Sequence, residues 1–368
     1  MRVTLREVEP AVVRIVDVPA DVSLPELHDL LQVTVGWTDS HLHEFASGDR
    51  VYGMPDEDAA EGQLDETGAK LAELGPLFVY RYDFGDGWEH DVEVLGTGEV
   101  DPGLRGGEGA CPPEDCGGPC GYEELRRVMA DPTDPEHAVT RDWVGGELRA
   151  FDAVGTDRLV RDTVGAVPES VRLVLDLVAA APGAKVKLTP GGRLPRVFVR
   201  EVQARRPGWY TWGPASIEDD LQPLVALHDL LRKAGLLRLS KGVLCATRAA
   251  GSGDLEIVRR VRKCFPVGAF ETTLTEDCLA LLAAGGPLRA EELAQRVYPI
   301  LRGRWARGGR PLAVPDVLSS LWAQRSVWEG LDLVVTEGGV WHPGPSARSL
   351  LPTAAALAYL WSARQPAG

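Results

Sequence analysis

The feature that most constrains this chain is a change in charge near Pro182-Gly183. Residues 1–182 carry 14 Lys and Arg against 38 Asp and Glu, a net charge of −24, whereas residues 183–368 carry 25 against 16, a net charge of +9. A chain of 368 residues has room for two or three domains. The change in charge therefore predicts a boundary at residue 182, between an acidic N-terminal domain and a basic C-terminal half.

The N-terminal part has the pattern of an α+β fold. Two alternating segments at the N-terminus predict paired strands, and Ser23 is placed to cap the helix that follows. Phe78–Phe84 and Trp88–Leu95 read as a hairpin that turns at Gly85-Asp86-Gly87. We expect a mixed β-sheet with a packed helix, a β-β-α-β roll, over residues 1–182.

Three motifs occur in this part of the chain. The first is Leu27-His28-Asp29-Leu30-Leu31-Gln32 followed by Gly36-Trp37-Thr38-Asp39-Ser40-His41-Leu42-His43-Glu44-Phe45. The second is Tyr80-Arg81-Tyr82-Asp83-Phe84-Gly85-Asp86-Gly87-Trp88-Glu89-His90, and the third is Cys111-Pro112-Pro113-Glu114-Asp115-Cys116-Gly117-Gly118 with Gly121-Tyr122. In this order and spacing they resemble the plasmid pRiA4b ORF-3-like family, also described as the passenger protein of certain insertion elements. The resemblance covers about residues 1–180. The resemblance implies an origin in plasmids or mobile elements. It identifies a domain but no reaction, since the family has no settled activity.

The cysteines and histidines of these motifs raise the question of a metal site. Thiolates and imidazoles are the usual ligands of zinc, which takes four in a tetrahedral array. The expected zinc ligands are Cys111, Cys116 and Cys120, with His41, His43 or His90 as the fourth. On a strand, His41 and His43 would point to one face. The alternative is a Pro- and Gly-rich loop whose cysteines pack as small apolar groups, with His90 as a core residue.

The C-terminal half is mostly helical and resembles winged-helix modules at the level of pattern. A helix over Asp219–Ala234 is followed by a basic hairpin that turns at Lys241-Gly242, and a similar order recurs at about residues 270–350. We divide this half into winged-helix-like segments 183–270 and 271–368, and whether they form one domain or two is left open.

A basic half favours nucleic acid, because Lys and Arg neutralise backbone phosphates. The expected contacts with duplex DNA are Arg238, Lys241, Arg259, Arg260, Arg262, Lys263, Arg302, Arg304, Arg307 and Arg325. The candidate recognition helix of the second module offers mainly Gln324 and Arg325, which is little for reading bases. The alternatives are a solvated basic surface, a surface that docks the acidic half, or a module that docks proteins.

Three functional hypotheses follow. The one we favour is a non-enzymatic accessory or regulatory protein of mobile-element origin, with DNA bound by the basic half and a protein or small ligand by the acidic domain. The second is a protein-interaction scaffold, and the third is a metal-dependent enzyme built on the His and Cys cluster.

No P-loop, Rossmann fingerprint or Ser-His-Asp order is present. Without an apolar run of about 20 residues or a signal-peptide core, we expect a cytoplasmic protein with no membrane contact.

Overall fold

The computed structural model describes residues 1–54, 62–98, 102–148, 150–266, 268–348 and 350–351. It divides into two compact units, Met1–Val164 and Gly165–Gly368. This division lies 18 residues before the boundary expected at residue 182. The reason is the helix Glu169–Ala180, whose buried face belongs to the hydrophobic core of the second unit.

In its described residues the first unit combines a sheet with five helices. Its strands are β1 (Arg2–Leu5), β2 (Val13–Asp17), β3 (His43–Ser47), β4 (Arg50–Gly53), β5 (Leu64–Asp65), β6 (Leu77–Tyr82), β7 (Trp88–Glu93) and β8 (Gly103–Glu108). Its helices are α1 (Leu24–Val35), α2 (Leu71–Leu74), α3 (Gly118–Ala130), α4 (His137–Trp143) and α5 (Ala153–Val164). The expected α+β class is confirmed.

The eight strands form one sheet in the order β5-β4-β3-β6-β7-β1-β2-β8. Along β6 and β7 every second side chain is buried, as a sheet with one covered face requires. Tyr80 pairs with His90 across this hairpin, and both are fully buried. The buried leucines of α1 join the same core, so the helix covers the inner face.

Helix α1 begins where the sequence predicts. The Glu26 carboxylate accepts hydrogen bonds from the Ser23 backbone N–H at 3.0 Å and from the Ser23 hydroxyl at 2.7 Å. These contacts fix the first turn, because the early N–H groups of a helix have no partner inside it. The helix ends at Gly36, whose φ of 123° favours glycine.

The second unit is mostly helical. Its helices are α6 (Glu169–Ala180), α7 (Arg196–Arg205), α8 (Gln222–Lys233), α9 (Asp254–Arg262), α10 (Phe270–Gly285), α11 (Ala290–Leu301) and α12 (Val314–Gly330). Its strands are β9 (Val186–Lys187), β10 (Leu237–Ser240), β11 (Val243–Ala246), β12 (Leu288–Arg289), β13 (Ala306–Arg307), β14 (Arg310–Pro311), β15 (Val334–Glu337) and β16 (Val340–Pro343).

One order of elements occurs twice in this unit. The first module runs α6-β9-α7-α8-β10-β11, and the second runs α10-β12-α11-α12-β15-β16 with the small β13-β14 hairpin inserted. The sheets have matching orders, β9-β11-β10 and β12-β16-β15, so the last strand is central in each. The two hairpins turn at Lys241-Gly242 and at Gly338-Gly339. All four residues have a positive φ, which a two-residue turn needs in order to match the twist of its strands.

The two modules share one hydrophobic core, which runs from Val171 to Leu351. Helix α8 of the first packs along α12 of the second. At Gly330 the helices approach so closely that a Cβ atom would lie 2.7 Å from the Pro223 carbonyl oxygen. One face of the third helix of each module is therefore packed against its counterpart. Among the helices of the described residues, none is both long and apolar enough to cross a membrane.

Candidate metal-binding site

The three motifs of the first unit meet at one end of the β6-β7 hairpin. Trp37 donates its indole N–H to the Pro112 carbonyl at 2.9 Å, and the Thr38 backbone N–H donates to Glu114 at 2.9 Å. The Gly117 N–H donates to the Asp86 carboxylate at 3.0 Å. The loop before α3 is thus held to both other motifs by hydrogen bonds.

Close backbone contact adds to this attachment. At Gly118, with a φ of 70°, a Cβ atom would lie 2.3 Å from the Asp86 carbonyl oxygen. A larger residue would force the loop away from the hairpin, so glycine is required for the approach.

The hairpin turn places Asp83 at this junction. Asp83 has a φ of 54°, a conformation that Asp tolerates better than most residues, and its Oδ1 accepts hydrogen bonds from Gly85 N–H at 3.1 Å and Asp86 N–H at 3.2 Å. These bonds fix the carboxyl group in a buried position, with Oδ2 directed at His41. Asp83 is thus both a turn residue and part of the junction.

His41 faces three carboxyl groups from two other segments. Its Nε2 lies 3.1 Å from Asp115 Oδ1, 3.5 Å from Asp83 Oδ2 and 3.9 Å from Glu114 Oε2. Ligand atoms of His41, Asp83 and Asp115 all lie within 4.8 Å of one another. We call His41, Asp83, Glu114 and Asp115 the junction cluster.

Among the described residues, the junction cluster has no compensating cation. Within the described part of the chain, no Lys or Arg side chain pairs with any of its three carboxylates. The His41 Nε2 atom is buried and has no hydrogen-bond partner there. Three carboxylates around one imidazole nitrogen repel one another unless a proton or a metal ion lies between them.

Tyr82 completes one wall of the cluster. Its hydroxyl lies 3.2 Å from both Glu114 carboxylate oxygens and accepts a hydrogen bond from the Ser40 N–H at 2.9 Å. Burial raises the pKa of Tyr82, and the Glu114 carboxylate adds to the rise. The phenol is therefore neutral and donates its proton to Glu114.

The structure does not bring the three cysteines together with the histidines. No group of candidate ligands found among the described residues contains a cysteine. Cys111 donates to the Pro112 carbonyl, and burial raises its pKa, so it is a neutral packed thiol. Cys120 is exposed on the first turn of α3. The described residues thus offer no three-cysteine group, and Cys120 lies on α3, which begins at Gly118.

Cys116 differs from the other two cysteines in its neighbours. Burial raises the pKa of this thiol to about 12, and the carboxylates of Asp86, Asp115 and Asp83 contribute to the rise. The thiol thus lies in the negative field of the junction cluster. A bound cation would reverse that field and favour the thiolate.

His43 belongs to a different cluster from His41. Strand β3 begins only at His43, which is buried with Nε2 3.0 Å from Glu66 Oε2. Its ring stacks on His28 with centroids 3.5 Å apart. His28 in turn contacts the Tyr80 hydroxyl and Asp39 Oδ1, each at 2.8 Å. The expected pair of His41 and His43 on one face is therefore not formed.

This second cluster reads as a hydrogen-bonded core rather than a metal site. Ligand atoms of His28, Asp39 and His43 also lie within 4.8 Å of one another, but both nitrogens of His28 already have partners. Burial lowers the pKa of His28, which keeps the ring neutral. Sequence reasoning missed His28 and Glu66, since one lies in a helix and the other in an acidic loop without a motif.

His90 lies in the core and apart from both clusters. Its Nδ1 is 3.2 Å from the Tyr80 carbonyl oxygen, and its Nε2 has no partner among the described residues. Trp37 meets the ring edge-on, with centroids 5.2 Å apart. Burial lowers the pKa of His90 to about 4. The alternative of a core histidine describes its surroundings better than a metal ligand does.

The expected nucleic-acid contacts divide into two groups. Several are held by the protein itself: Arg260 pairs with Glu256 at 2.6 Å, Arg307 with Asp316 at 3.4 Å, and Arg325 with Glu329 at 2.9 Å. Arg262 donates to the Leu350 carbonyl at 2.8 Å, and Arg259 is half-buried. The exposed ones are Arg238, Lys241, Lys263, Arg302 and Arg304. Because α12 packs on α8, Arg325 does not lie on an unobstructed recognition helix.

Comparisons with known proteins address the first unit. An uncharacterized protein, y4hQ, of Sinorhizobium fredii (strain NBRC 101917 / NGR234) is 44% identical over 160 residues, which are 39% of this chain and 79% of the relative. A crystal structure of a protein of unknown function, MM3350 from Methanosarcina mazei Go1, is 29% identical and has a TM-score of 0.37, with 42% of this chain and 93% of that chain covered. The sequence model of the plasmid pRiA4b ORF-3-like protein matches residues 1–159. Through this segment the chain belongs to the plasmid pRiA4b ORF-3-like family.

Proposed function

We propose that the first unit binds a divalent metal ion at the junction cluster. The supporting observation is the buried Nε2 of His41, which makes no hydrogen bond among the described residues although Asp115 Oδ1 lies 3.1 Å away. It faces the carboxylates of Asp83, Glu114 and Asp115, which no Lys or Arg of the described residues neutralises. A divalent ion would remove the repulsion among these carboxylates and satisfy the imidazole.

The ligand types favour a particular class of ion. Carboxylates with one imidazole suit Mn²⁺, Fe²⁺ or Zn²⁺, whereas a zinc site of thiolates would need a cysteine group, and no candidate group among the described residues contains a cysteine. Asp115 has 70% of its side chain exposed and His41 has 28%, so the cluster opens to solvent on one side. Water or a further ligand would occupy that side of the ion.

We also propose that each module of the second unit is a winged helix and that the protein is an accessory factor rather than an enzyme. The repeated helix-strand-helix-helix-strand-strand order and the central last strand of each sheet support this reading. In winged helices that read DNA, the third helix enters the major groove. Here α8 and α12 cover each other, so docking through hairpins and surface charge is favoured over base reading.

A protein-interaction scaffold is the second candidate, and the same mutual burial of α8 and α12 favours it. It predicts stable complexes in pull-down experiments and no affinity for duplex DNA at low salt. Binding to duplex DNA would instead support the accessory role at a nucleic acid.

The metal proposal is tested by calorimetric titration of the full chain, purified without chelators, with Mn²⁺ and Zn²⁺. We expect one ion per chain, and Asp115→Asn to weaken binding about tenfold or more because one charged ligand is lost. The variant should fold, since Asp115 is largely exposed. The matched control is Cys120→Ser, which changes an exposed side chain outside the cluster and should bind as the parent does.

Cobalt substitution provides a second readout. A site of oxygens and one nitrogen lacks the strong near-ultraviolet band of a Co²⁺–thiolate bond, so its absence supports the junction cluster without a cysteine ligand. A band lost in Cys116→Ser would add Cys116 to the ligands. No stoichiometric binding of either ion, or equal affinity of Asp115→Asn and the parent, would overturn the proposal.

A further inference from the structure

The two faces of the β9-β11-β10 sheet in the second unit have different surroundings. Val186, Leu237 and Leu244 point to one face and are buried in the hydrophobic core of the unit. Because successive side chains of a strand point to opposite faces, their neighbours Lys187 and Arg238 lie on the other face, where both are exposed. This second face is remote in sequence from the junction cluster and does not depend on it.

Four basic side chains from two parts of the chain meet on this face and at its edge. Lys187 lies on β9 and is paired with Val243 of the central strand β11. Lys185 has an extended backbone, with φ of −135° and ψ of 127°, so it lies on the same side as Lys187. Arg238 lies on β10, and Lys241 forms the turn that follows β10. We call Lys185, Lys187, Arg238 and Lys241 the basic face.

Among the described residues, the basic face has no acidic partner. Its four side chains are exposed, and within this part of the chain none of them forms an ion pair or a side-chain hydrogen bond. Another exposed cation of the same module is compensated, since Arg193 Nη2 lies 2.7 Å from Asp219 Oδ1. The positive charge of the basic face is therefore available to a partner outside the chain.

The sheet of the second module provides an internal comparison, because its strands pair in the same register. Lys185, Lys187, Arg238 and Lys241 correspond to Pro287, Arg289, Val335 and Gly338. Of these four positions, the second sheet keeps a positive charge at Arg289 alone, and Glu337 takes the position of Ser240. The same sheet thus forms without the other three cations. The fold does not require the basic face.

We propose that the basic face binds the phosphate backbone of duplex DNA, an inference that rests on the accessory role proposed above for the second unit. Lys, Arg and Ser side chains are usual partners of backbone phosphates, and Ser240 is exposed on the same side of the sheet. Protein interfaces are instead enriched in aromatic residues and depleted in Lys, whereas this side of the sheet has two lysines and no aromatic residue. Because phosphates occur along the whole duplex, this binding is independent of base sequence.

The test measures binding of the full chain to a fluorescent duplex of random sequence by anisotropy, over a series of salt concentrations. We expect Lys187→Ala to weaken binding about fivefold at low salt, as the loss of one contact with a charged group implies. The slope of log affinity against log salt should become shallower by about 1, and by about 2 in Lys187→Ala/Arg238→Ala. Both side chains are exposed, so the variants keep the fold.

The matched control is Arg289→Ala, which removes an exposed cation from the corresponding position of the second sheet. It changes the net charge of the chain by the same amount as Lys187→Ala, so a difference between the two variants reports where the duplex binds. Weaker binding in Lys187→Ala, with binding close to that of the parent in Arg289→Ala, supports the proposal.

Two other outcomes would contradict the proposal, and they differ in what they leave standing. Duplex binding that both variants weaken equally, or that neither variant changes, would exclude the basic face as the contact but keep the accessory role at DNA. A parent that binds poly-glutamate but no duplex at low salt would exclude both and favour the protein-interaction scaffold.

Discussion

The two units use their polar and charged groups in different ways. In the first, loops that are far apart in sequence bring His41, Asp83 and Asp115 to one place and leave them without a compensating cation among the described residues. In the second, Arg260, Arg307 and Arg325, which sequence reasoning assigned to nucleic acid, are each paired with an acidic side chain of the same unit. Concentrated uncompensated charge, rather than net charge, therefore identifies a candidate site.

The two units also differ in net charge and in how their helices pack. Around the structural boundary, residues 1–164 carry a net charge of −23 and residues 165–368 a net charge of +8. The junction cluster of the acidic unit lies at one end of the β6-β7 hairpin and is partly exposed, whereas in the basic unit α8 and α12 pack against each other. The sign of the charge alone does not tell which surface is available.

The largest expected effect is a loss of stability in the second unit, and it tests whether the hydrophobic cores of the two units unfold separately. Trp328 is fully buried, donates to Thr275 Oγ1 at 3.0 Å and packs edge-on against Trp341. Trp328→Ala should lower the free energy of unfolding of the second unit by about 4 kcal/mol, from lost burial and the cavity left behind. Hydrogen exchange, read peptide by peptide in the full chain, measures the loss in each unit.

The control for this change is Trp212→Ala, because the Trp212 side chain is 89% exposed. It should leave exchange unchanged in both units. If Trp328→Ala lowered protection in the peptides of residues 1–164 as strongly as in those of the second unit, the two cores would not be separate.

The next effect is the acid sensitivity of the first unit. Burial lowers the pKa of His90 to about 4, below its value of about 6.5 in an unfolded chain. Between these values the unfolded state binds more protons, so stability falls as the pH falls. From pH 7 to pH 4 the loss should be about 3 kcal/mol.

Hydrogen exchange of the peptides that contain β6 and β7, followed as a function of pH, measures how the free energy of unfolding changes with pH. His90→Gln keeps an N–H donor for the Tyr80 carbonyl but does not titrate, so its slope over this range should be shallower. A parent protein whose β6 and β7 peptides are equally protected at pH 7 and pH 4.5 would contradict the burial of a neutral His90.

The smallest expected effect concerns Asp277 in the second unit, where stability is lost as the pH rises rather than as it falls. Burial raises the pKa of Asp277 to about 6, and Arg304 only partly opposes the rise. Here the folded state binds more protons between about pH 4 and pH 6, so stability is lost as the pH rises through that window. Asp277→Asn should therefore stabilise the second unit at pH 8 by about 1 to 2 kcal/mol.

Denaturant unfolding at pH 8 and at pH 4 separates this effect from general packing. The gain should be present at pH 8 and absent at pH 4, where Asp277 is itself neutral. An equal change at both pH values would mean that the substitution acts through packing rather than through the charge.

Local patterns in the sequence predict much of the fold. The hairpin around Gly85-Asp86-Gly87, the start of α1 at Ser23 and the turn at Lys241-Gly242 all depend on residues next to one another, and all three are confirmed. The family resemblance rests on motifs in one order and is also confirmed. The domain boundary is less accurate, because α6 carries no feature that assigns it to either side.

The candidate site is less predictable from the sequence. His41 is among the expected ligands, but Asp83 could equally be a turn residue, and the motif of the family resemblance includes Cys111 and Cys116 but not Cys120. Their relation depends on where α3 begins and on how the loop attaches to the hairpin. His41 and His43 diverge because strand β3 begins only at His43, so His41 lies outside the strand.

The sequence by itself determined the elements, the charge division and the family, because these follow from neighbouring residues and from motifs in order. Only the tertiary structure decided which distant side chains meet. It placed His41 against three carboxylates, gave His43 to a buried network, and covered α8 with α12. The physical reason is that burial and charge pairing depend on distances across the fold, which spacing along a chain does not fix.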